Sequence, residues 1–86
     1  MPGQATEIWA KEFQKDLELL PRHFRDQMFE KVRDLGRRLD SFPHERLQGR
    51  PEFRLRVGDY RVIYSFDLNK NILSLHLIGH RREVYR

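Results

Sequence analysis

Residues 53–64 of this chain read Phe-Arg-Leu-Arg-Val-Gly-Asp-Tyr-Arg-Val-Ile-Tyr, and this stretch decides the fold. Apolar residues alternate with arginines before Gly58-Asp59, and a run rich in aromatic and β-branched residues follows, a pattern typical of two β-strands. A two-residue loop with glycine in its first position is typical of a type II′ turn. The stretch therefore predicts a tight antiparallel hairpin.

The turn also predicts which residues of the hairpin face each other. Because only two residues separate the strands, Val57 lies opposite Tyr60, and directly opposed residues point to the same face of the sheet. One face, expected to pack against the core, receives Phe53, Leu55, Val57, Tyr60, Val62, Tyr64 and Phe66. The other face, which we call the arginine face, receives Arg54, Arg56, Arg61 and Ile63.

Arg56 is expected directly opposite Arg61 on the arginine face. Two like charges in this position destabilise a sheet by up to about 1 kcal/mol, so stability alone does not explain them. An anion held between the two guanidinium groups would explain the arrangement. The alternative is that a nearby carboxylate, such as Glu52 or Glu83, neutralises them, or that they point into water.

A third strand is expected after the hairpin. Residues 67–71 indicate a turn, and residues 72–80 indicate the strand, with Asp67 paired to Ile72. In this register the core face receives Leu73, Leu75 and Leu77, and the arginine face receives His76, Ile78 and His80. A shift by one residue would bury the histidines and expose the leucines, which favours the pairing of Asp67 with Ile72.

Two helices are expected before the hairpin, preceded by a short strand at residues 5–9. Apolar residues recur at helical spacing on two stripes: Trp9, Phe13, Leu17, Leu20, and Phe24, Met28, Val32, Leu35, Leu39. Pro21 suits the first turn of the second helix, which should end near Ser41 because Pro43 follows. Residues 43–52 then indicate a loop. The order β-αα-βββ predicts an α+β fold, with a helical hairpin packed on one face of a small, mainly antiparallel sheet.

Length and composition favour one small domain covering residues 1–86, because 86 residues are too few for two. The chain has no cysteine, which excludes disulfides and thiolate metal sites and suits a reducing compartment. No apolar stretch is long enough to span a membrane, and residues 1–4 lack the features of a signal peptide. We therefore expect a cytoplasmic protein.

Positive charge is concentrated in the second half of the chain. Residues 1–45 have a net charge of −1, whereas residues 46–86 have a net charge of +5, and eight of their nine basic residues are arginines. Guanidinium groups match the geometry of phosphate oxygens, so this half favours a phosphate-bearing partner. A basic surface with no nucleic-acid role remains the alternative.

The hairpin, followed by Ile78-Gly79-His80-Arg81-Arg82-Glu83-Val84-Tyr85, resembles the RelE/ParE superfamily of toxins from toxin–antitoxin systems. The ending Gly-His-Arg, with a valine and a tyrosine after it, is most similar to the RelE branch. Further similarity lies upstream in Lys15-Asp16-Leu17, Leu20-Pro21, Leu47 and Gly49, so the resemblance covers nearly the whole chain.

The resemblance implies a ribosome-dependent endoribonuclease that cuts mRNA in the ribosomal A site and thereby inhibits translation. It also implies a cognate antitoxin as partner. The residues that it would place on the phosphate are Arg54, Arg56, Arg61, Arg81 and Tyr85, and Arg82 of the basic tail is a further candidate for binding it. The first two are lysines in the best-known RelE toxin. Arginine is effectively always protonated, so neither can serve as a general base.

RNA can be cut without a metal ion or cofactor when its own 2′-hydroxyl attacks the adjacent phosphorus. The reaction needs a base, positive charge on the phosphate and an acid for the leaving oxygen. His80 and Glu45 are the alternatives for the base, with His76 and His44 as weaker candidates. Glu45 resembles an acidic position of YoeB-type relatives. The competing function within the same fold is inhibition of DNA gyrase by a ParE-type toxin.

Overall fold

The computed structural model describes residues 3–80 of the chain. The elements lie in the order β1 (Thr6–Trp9), α1 (Lys11–Leu19), α2 (Arg22–Arg37), β2 (Glu45–Arg46), β3 (Phe53–Val57), β4 (Tyr60–Asp67) and β5 (Ile72–His80). The expected α+β order is confirmed, with one strand more than the sequence indicated. In this part of the chain, neither helix has the length and apolar character needed to cross a bilayer.

The five strands form a single sheet in the order β1-β5-β4-β3-β2. β1 runs parallel to β5, and the other neighbours are antiparallel. Both helices pack on one face of this sheet. The core joins their stripes to alternate residues of β3, β4 and β5, and its fully buried members are Phe13, Met28, Leu35, Val62, Tyr64, Leu73 and Leu75.

The hairpin register agrees with the sequence prediction at every pair. Val57 lies opposite Tyr60, and Arg56 lies opposite Arg61. Gly58 has a φ of +60°, whereas Asp59 does not adopt a positive φ, which is the signature of the expected type II′ turn. The seven residues predicted for the core face all belong to the core or pack against it.

The second half of β5 differs from the prediction. Asp67 pairs with Ile72 and the first two leucines face the core, as expected, but a β-bulge interrupts the ladder between Ile63 and Tyr64. Beyond the bulge Ile63 lies opposite Leu77 and Val62 lies opposite Ile78. The placement of Leu77 in the core and of Ile78 on the arginine face is therefore wrong.

Because of the same bulge, the expected placement of His80 on the arginine face is wrong. This residue lies opposite Tyr60, whose ring packs against the core, and the two ring centroids are 5.8 Å apart. Directly opposed residues share a face, so His80 lies on the helix side of the sheet. A bulge inserts one extra residue, which reverses the alternation of every residue after it.

Asp16 of α1 contacts β5 just beyond the bulge. Its Oδ2 accepts a hydrogen bond from the Ile78 backbone N–H at 2.9 Å. A bulge disrupts the regular ladder, and a buried backbone donor must then find another acceptor. The carboxylate of α1 supplies that acceptor and ties the first helix to the strand.

The second helix ends four residues earlier than Ser41. Arg38 leaves the helical region, and its N–H donates to the Leu35 carbonyl, a contact that tightens the last turn. Two further turn hydrogen bonds, from Ser41 and Phe42 to the Arg38 carbonyl, continue the helical course without a regular helix. Leu39 thus keeps its buried position on the stripe, although its backbone is not helical.

We predict that Gly58→Ala lowers the free energy of unfolding by about 1–2 kcal/mol, because an L-residue is strained at positive φ. The space around Gly58 is open, so the cost is conformational rather than steric. Urea denaturation measures it, with Gly3→Ala as the matched control, since Gly3 also has open space but no positive φ. Equal stability of the two variants would contradict the turn assignment.

Candidate nucleic-acid interface on the arginine face

The arginine face collects charged side chains from three adjacent strands. β3 contributes Arg54 and Arg56, and β4 contributes Arg61 directly opposite Arg56. The short strand β2 contributes Glu45, which lies opposite Arg54 and therefore on the same face. The expected group of three arginines is present, and one of the two proposed bases lies among them.

Glu45 contacts both arginines of β3. Its Oε1 accepts a hydrogen bond from Arg54 Nε at 2.8 Å and lies 3.4 Å from Arg56 Nε. The Arg54 side chain is 17% exposed, whereas those of Glu45 and Arg56 are about half exposed. We expected Glu52 or Glu83 as a carboxylate that neutralises the arginines, but Glu45 is the carboxylate that pairs with the arginines of β3.

The arginines keep Glu45 ionised. The hydrogen bond from Arg54, followed by the charges of Arg54 and Arg56, holds the pKa of this carboxyl below its ordinary value. Since the folded pKa is lower than the unfolded one, the ion pair is fully present above the ordinary range and is lost as the pH falls through the lowered pKa. A carboxylate held in this way is a weak proton acceptor at neutral pH.

Arg61 is buried, with 4% of its surface exposed. Its Nη1 donates to the backbone carbonyl of Tyr60 at 3.3 Å. Among the described residues, this part of the face holds three arginines and one glutamate. Positive charge at a partly desolvated position is effective at attracting and orienting an anion, because water screens it less.

The basic surface continues around the edge of the sheet towards α2. A cleft of about 530 Å³ lies there, with Glu45, Arg54 and Arg56 on the sheet side. Lys31, Asp34 and Arg38 line its helix side. Asp34 pairs with Arg38 at 2.9 Å, so the helix side is less positive than its arginine content suggests.

The three histidines named as candidate bases lie at separate places. His76 is on the arginine face as expected, where its Nε2 lies 2.8 Å from Ser65 Oγ. His80 lies on the opposite side at the end of β5, one residue beyond Gly79, which pairs with Arg61. His44 lies directly before Glu45, with its Nδ1 2.6 Å from the Tyr64 hydroxyl oxygen and its Nε2 2.7 Å from the Leu39 carbonyl oxygen.

The partners of His44 determine its tautomer when it is neutral. A carbonyl oxygen only accepts, so Nε2 carries the hydrogen that is donated to Leu39, and Nδ1 accepts from the Tyr64 hydroxyl. Burial, and then the negative charge of Glu45, raises the pKa of Tyr64, so this hydroxyl keeps its proton. Half-buried His44 therefore links Tyr64 of the core to the start of β2 at Glu45.

Three of the expected site residues, Arg81, Arg82 and Tyr85, lie outside the described residues. Within residues 3–80, no three His, Asp or Glu side chains come together in an arrangement that could hold a metal ion. The structure thus brings together Arg54, Arg56, Arg61 and Glu45, and separates His80 from their face.

A family model described as the ParE toxin of the type II toxin–antitoxin system parDE matches residues 8–85. The chain belongs to the RelE/ParE superfamily of toxins. Among curated proteins, no sequence matches this RelE/ParE chain.

Solved structures similar to this RelE/ParE toxin include chains of RelE–RelB complexes. One is from RelBE2 of Mycobacterium tuberculosis, with a TM-score of 0.77, 23% identity, and coverage of 94% of this chain and 95% of that chain. Another is from Pyrococcus horikoshii, with a TM-score of 0.75, 25% identity, and coverage of 91% and 96%. A third is from the intact Escherichia coli RelBE complex, with a TM-score of 0.71, 22% identity, and coverage of 88% and 95%. These likenesses show that the fold is that of RelE toxins.

The sequence did not indicate β2 or the role of His44. A strand of two residues is too short to produce an alternating pattern, and the surrounding prolines and glycine predict a loop. The available signal was the order His44-Glu45-Arg46 beside a hairpin strand with two arginines. A carboxylate next to such a strand is a candidate to pair with its guanidinium groups.

We predict that Arg54→Gln raises the pKa of Glu45 towards its ordinary value, because the largest cause of the lowering is removed. A pH titration followed by NMR of the Glu45 side-chain carboxyl carbon measures the midpoint. Arg50→Gln is the control, since Arg50 lies in the loop after β2 and carries the same charge. An unchanged midpoint in Arg54→Gln would show that the ion pair does not form in solution.

Proposed function

We propose that this type II toxin is an endoribonuclease that cuts mRNA in the ribosomal A site and so inhibits translation. The observation that carries the proposal is Arg56 directly opposite buried Arg61, with Arg54 beside them. This placement costs sheet stability, and a bound phosphate would offset that cost by standing between the two guanidinium groups. The likeness to RelE toxins supports the same choice.

The proposed reaction is transfer of the phosphate to the neighbouring 2′-oxygen. The 2′-oxygen forms a bond to phosphorus as the bond from phosphorus to the 5′-oxygen breaks, which yields a 2′,3′-cyclic phosphate and a 5′-hydroxyl. The 2′-hydroxyl proton leaves to a base, and an acid supplies a proton to the departing oxygen. Arg56 and Arg61 stabilise the negative charge that develops on the phosphate oxygens, and the step needs no metal ion.

Glu45 and His80 are the two main alternatives for the base that takes the proton from the 2′-hydroxyl, and different observations favour each. Glu45 lies on the arginine face, but its pKa is lowered by Arg54. An imidazole accepts a proton more readily near neutral pH, which favours His80, although its strand places it on the other side of the sheet. His80 lies at the same end of the sheet as Arg61, so an RNA that wraps around this end can reach both.

We propose that three residues after His80, namely Arg81, Arg82 and Tyr85, also belong to the site. We assign Arg81 and Arg82 to the phosphate, as guanidinium donors that add to the charge of Arg61. Tyr85 is assigned to a nucleobase, because an aromatic ring stacks on unpaired bases in single-stranded RNA. These roles come from the family resemblance of the segment.

The partners follow from the same proposal. A cognate antitoxin is expected, since the similar structures include RelE–RelB complexes, and it would oppose the positive charge of residues 46–86. The mRNA and the 16S rRNA of the A site are the nucleic-acid partners. These partners place the toxin in the cytoplasm.

A second candidate function is inhibition of DNA gyrase. The observation that favours it is the family model, which is described for ParE toxins and matches residues 8–85. A gyrase inhibitor would block DNA supercoiling by purified gyrase and leave mRNA intact on translating ribosomes. An endoribonuclease would do the reverse, so one preparation of the toxin tested in both assays distinguishes them.

We predict that Arg61→Gln slows the cleavage of ribosome-bound mRNA by about 100-fold, because a charged donor to the transition state is lost. Exposed Arg56→Gln should slow it by about tenfold, since water screens that charge more. Primer extension on mRNA from translating extracts measures both. Arg22→Gln, at the exposed start of α2, removes the same charge and should have no effect.

Thermal unfolding of each variant shows whether a loss of cleavage reflects the site or the fold. A folded Arg61→Gln variant that cuts as fast as the wild type would remove this residue from the mechanism. Wild-type toxin that leaves mRNA uncut on ribosomes and blocks supercoiling would replace the proposed function by the second candidate.

A further inference from the structure

His44 is held at both ends of its ring and on one of its faces. Tyr64 donates to Nδ1 at 2.6 Å, and Nε2 donates to the Leu39 carbonyl at 2.7 Å. The ring stacks on Phe66, with centroids 4.2 Å apart and an interplanar angle of 24°. Side chains with this many fixed contacts have little rotational freedom, so the backbone of residue 44 is fixed relative to β4.

The next residue, Glu45, begins a strand that is too short to fix its own position. β2 pairs with β3 at two positions only, Glu45 to Arg54 and Arg46 to Phe53. Pro43, two residues before β2, has no backbone N–H to donate, and a loop begins after β2 at Leu47. A two-residue edge strand contributes little stability by itself. Buried Leu47, whose N–H donates to the Glu52 carbonyl at 3.0 Å, holds its far end, and the contacts of His44 hold its near end.

We propose that His44 is a positioning residue, which through Glu45 orients Arg54 and Arg56 on the arginine face. The effect on RNA rests on the proposed function, whereas the effect on the ion pairs does not. Glu45 Oε1 reaches the Nε atoms of both arginines, at 2.8 and 3.4 Å, and so depends on where β2 lies along β3. Movement of β2 by a fraction of a residue would break these contacts.

Tyr64 connects this arrangement to the core. Its side chain is fully buried and packs with Phe53 and Phe66, while its hydroxyl holds His44. Burial, and then the negative charge of Glu45, raises the pKa of Tyr64. Tyr64, His44 and Glu45 thus form a chain of contacts from the core to the arginine face.

Two arginines beside this chain of contacts, Arg38 and Arg46, lie over aromatic rings. The guanidinium carbon of Arg38 is 5.0 Å from the centroid of Phe42, and that of Arg46 is 4.8 Å from the centroid of Phe53. Both rings also contact His44, with centroids about 5.5 Å apart. Each of these two arginines thus makes a cation–π contact with a ring that also contacts His44.

Two variants test the proposal without RNA. Tyr64→Phe keeps the buried ring and removes the donor to Nδ1, and His44→Phe keeps an aromatic ring on Phe66 and removes both hydrogen bonds. In each we expect the NMR titration midpoint of Glu45 to rise by about 0.5 or more, as the contacts with Arg54 and Arg56 loosen. Val32→Ala, which truncates a buried side chain of α2, is the control for a general loss of stability.

Val32→Ala should lower the free energy of unfolding and leave the Glu45 midpoint in place. An unchanged midpoint in both Tyr64→Phe and His44→Phe would overturn the proposal and make His44 a packing residue only. A midpoint that rises equally in Val32→Ala would overturn it as well, because loosening anywhere in the core would then have the same effect.

A double-mutant cycle extends the test to RNA cleavage on ribosomes. Tyr64→Phe should slow cleavage severalfold in the wild-type background and should add nothing in a Glu45→Gln background, since its effect passes through Glu45. Additive losses would overturn the proposal. If the wild-type toxin does not cut RNA while the Glu45 midpoint still rises in Tyr64→Phe, the proposed function fails and the positioning role stands.

Discussion

The two-residue turn at Gly58-Asp59 is the constraint on which the rest of the structure depends. It sets Val57 opposite Tyr60, and every later pair of β3 and β4 follows from that contact. Because side chains alternate along the strands, the apolar residues of the core face point towards the helices and the arginines point to the other face. Burial of the apolar set fixes the register, so Arg56 and Arg61 remain opposed in spite of their mutual repulsion.

This part of the fold could be predicted because turn chemistry and alternation agree with each other. The second half of β5 could not, because the alternation in residues 72–80 does not indicate where a bulge will lie. Asp16 of α1 accepts the Ile78 backbone N–H, and nothing in residues 72–80 records that a helix will supply this acceptor. One bulge was sufficient to move His80 from the expected face to the opposite one.

The candidate site shows the same division. The positions of Arg54, Arg56 and Arg61 followed from register alone, whereas the pairing of Glu45 with two of them depends on β2, which has no pattern of its own. Glu45 was one of two alternatives for the base, and in the structure it is the carboxylate that pairs with two guanidinium groups. A phosphate that binds to this face meets arginines that are already oriented, which lowers the entropic cost of binding.

We propose that the arginine face binds the phosphates of single-stranded RNA. This binding is tested most directly by NMR of the arginine Nε–H groups while a short 2′-O-methyl RNA, which lacks the attacking hydroxyl, is added to the toxin. We expect the signals of Arg54, Arg56 and Arg61 to shift together, with one affinity that weakens as salt is raised. Shifts confined to α2 arginines such as Arg22 and Arg33, with none on the arginine face, would contradict it.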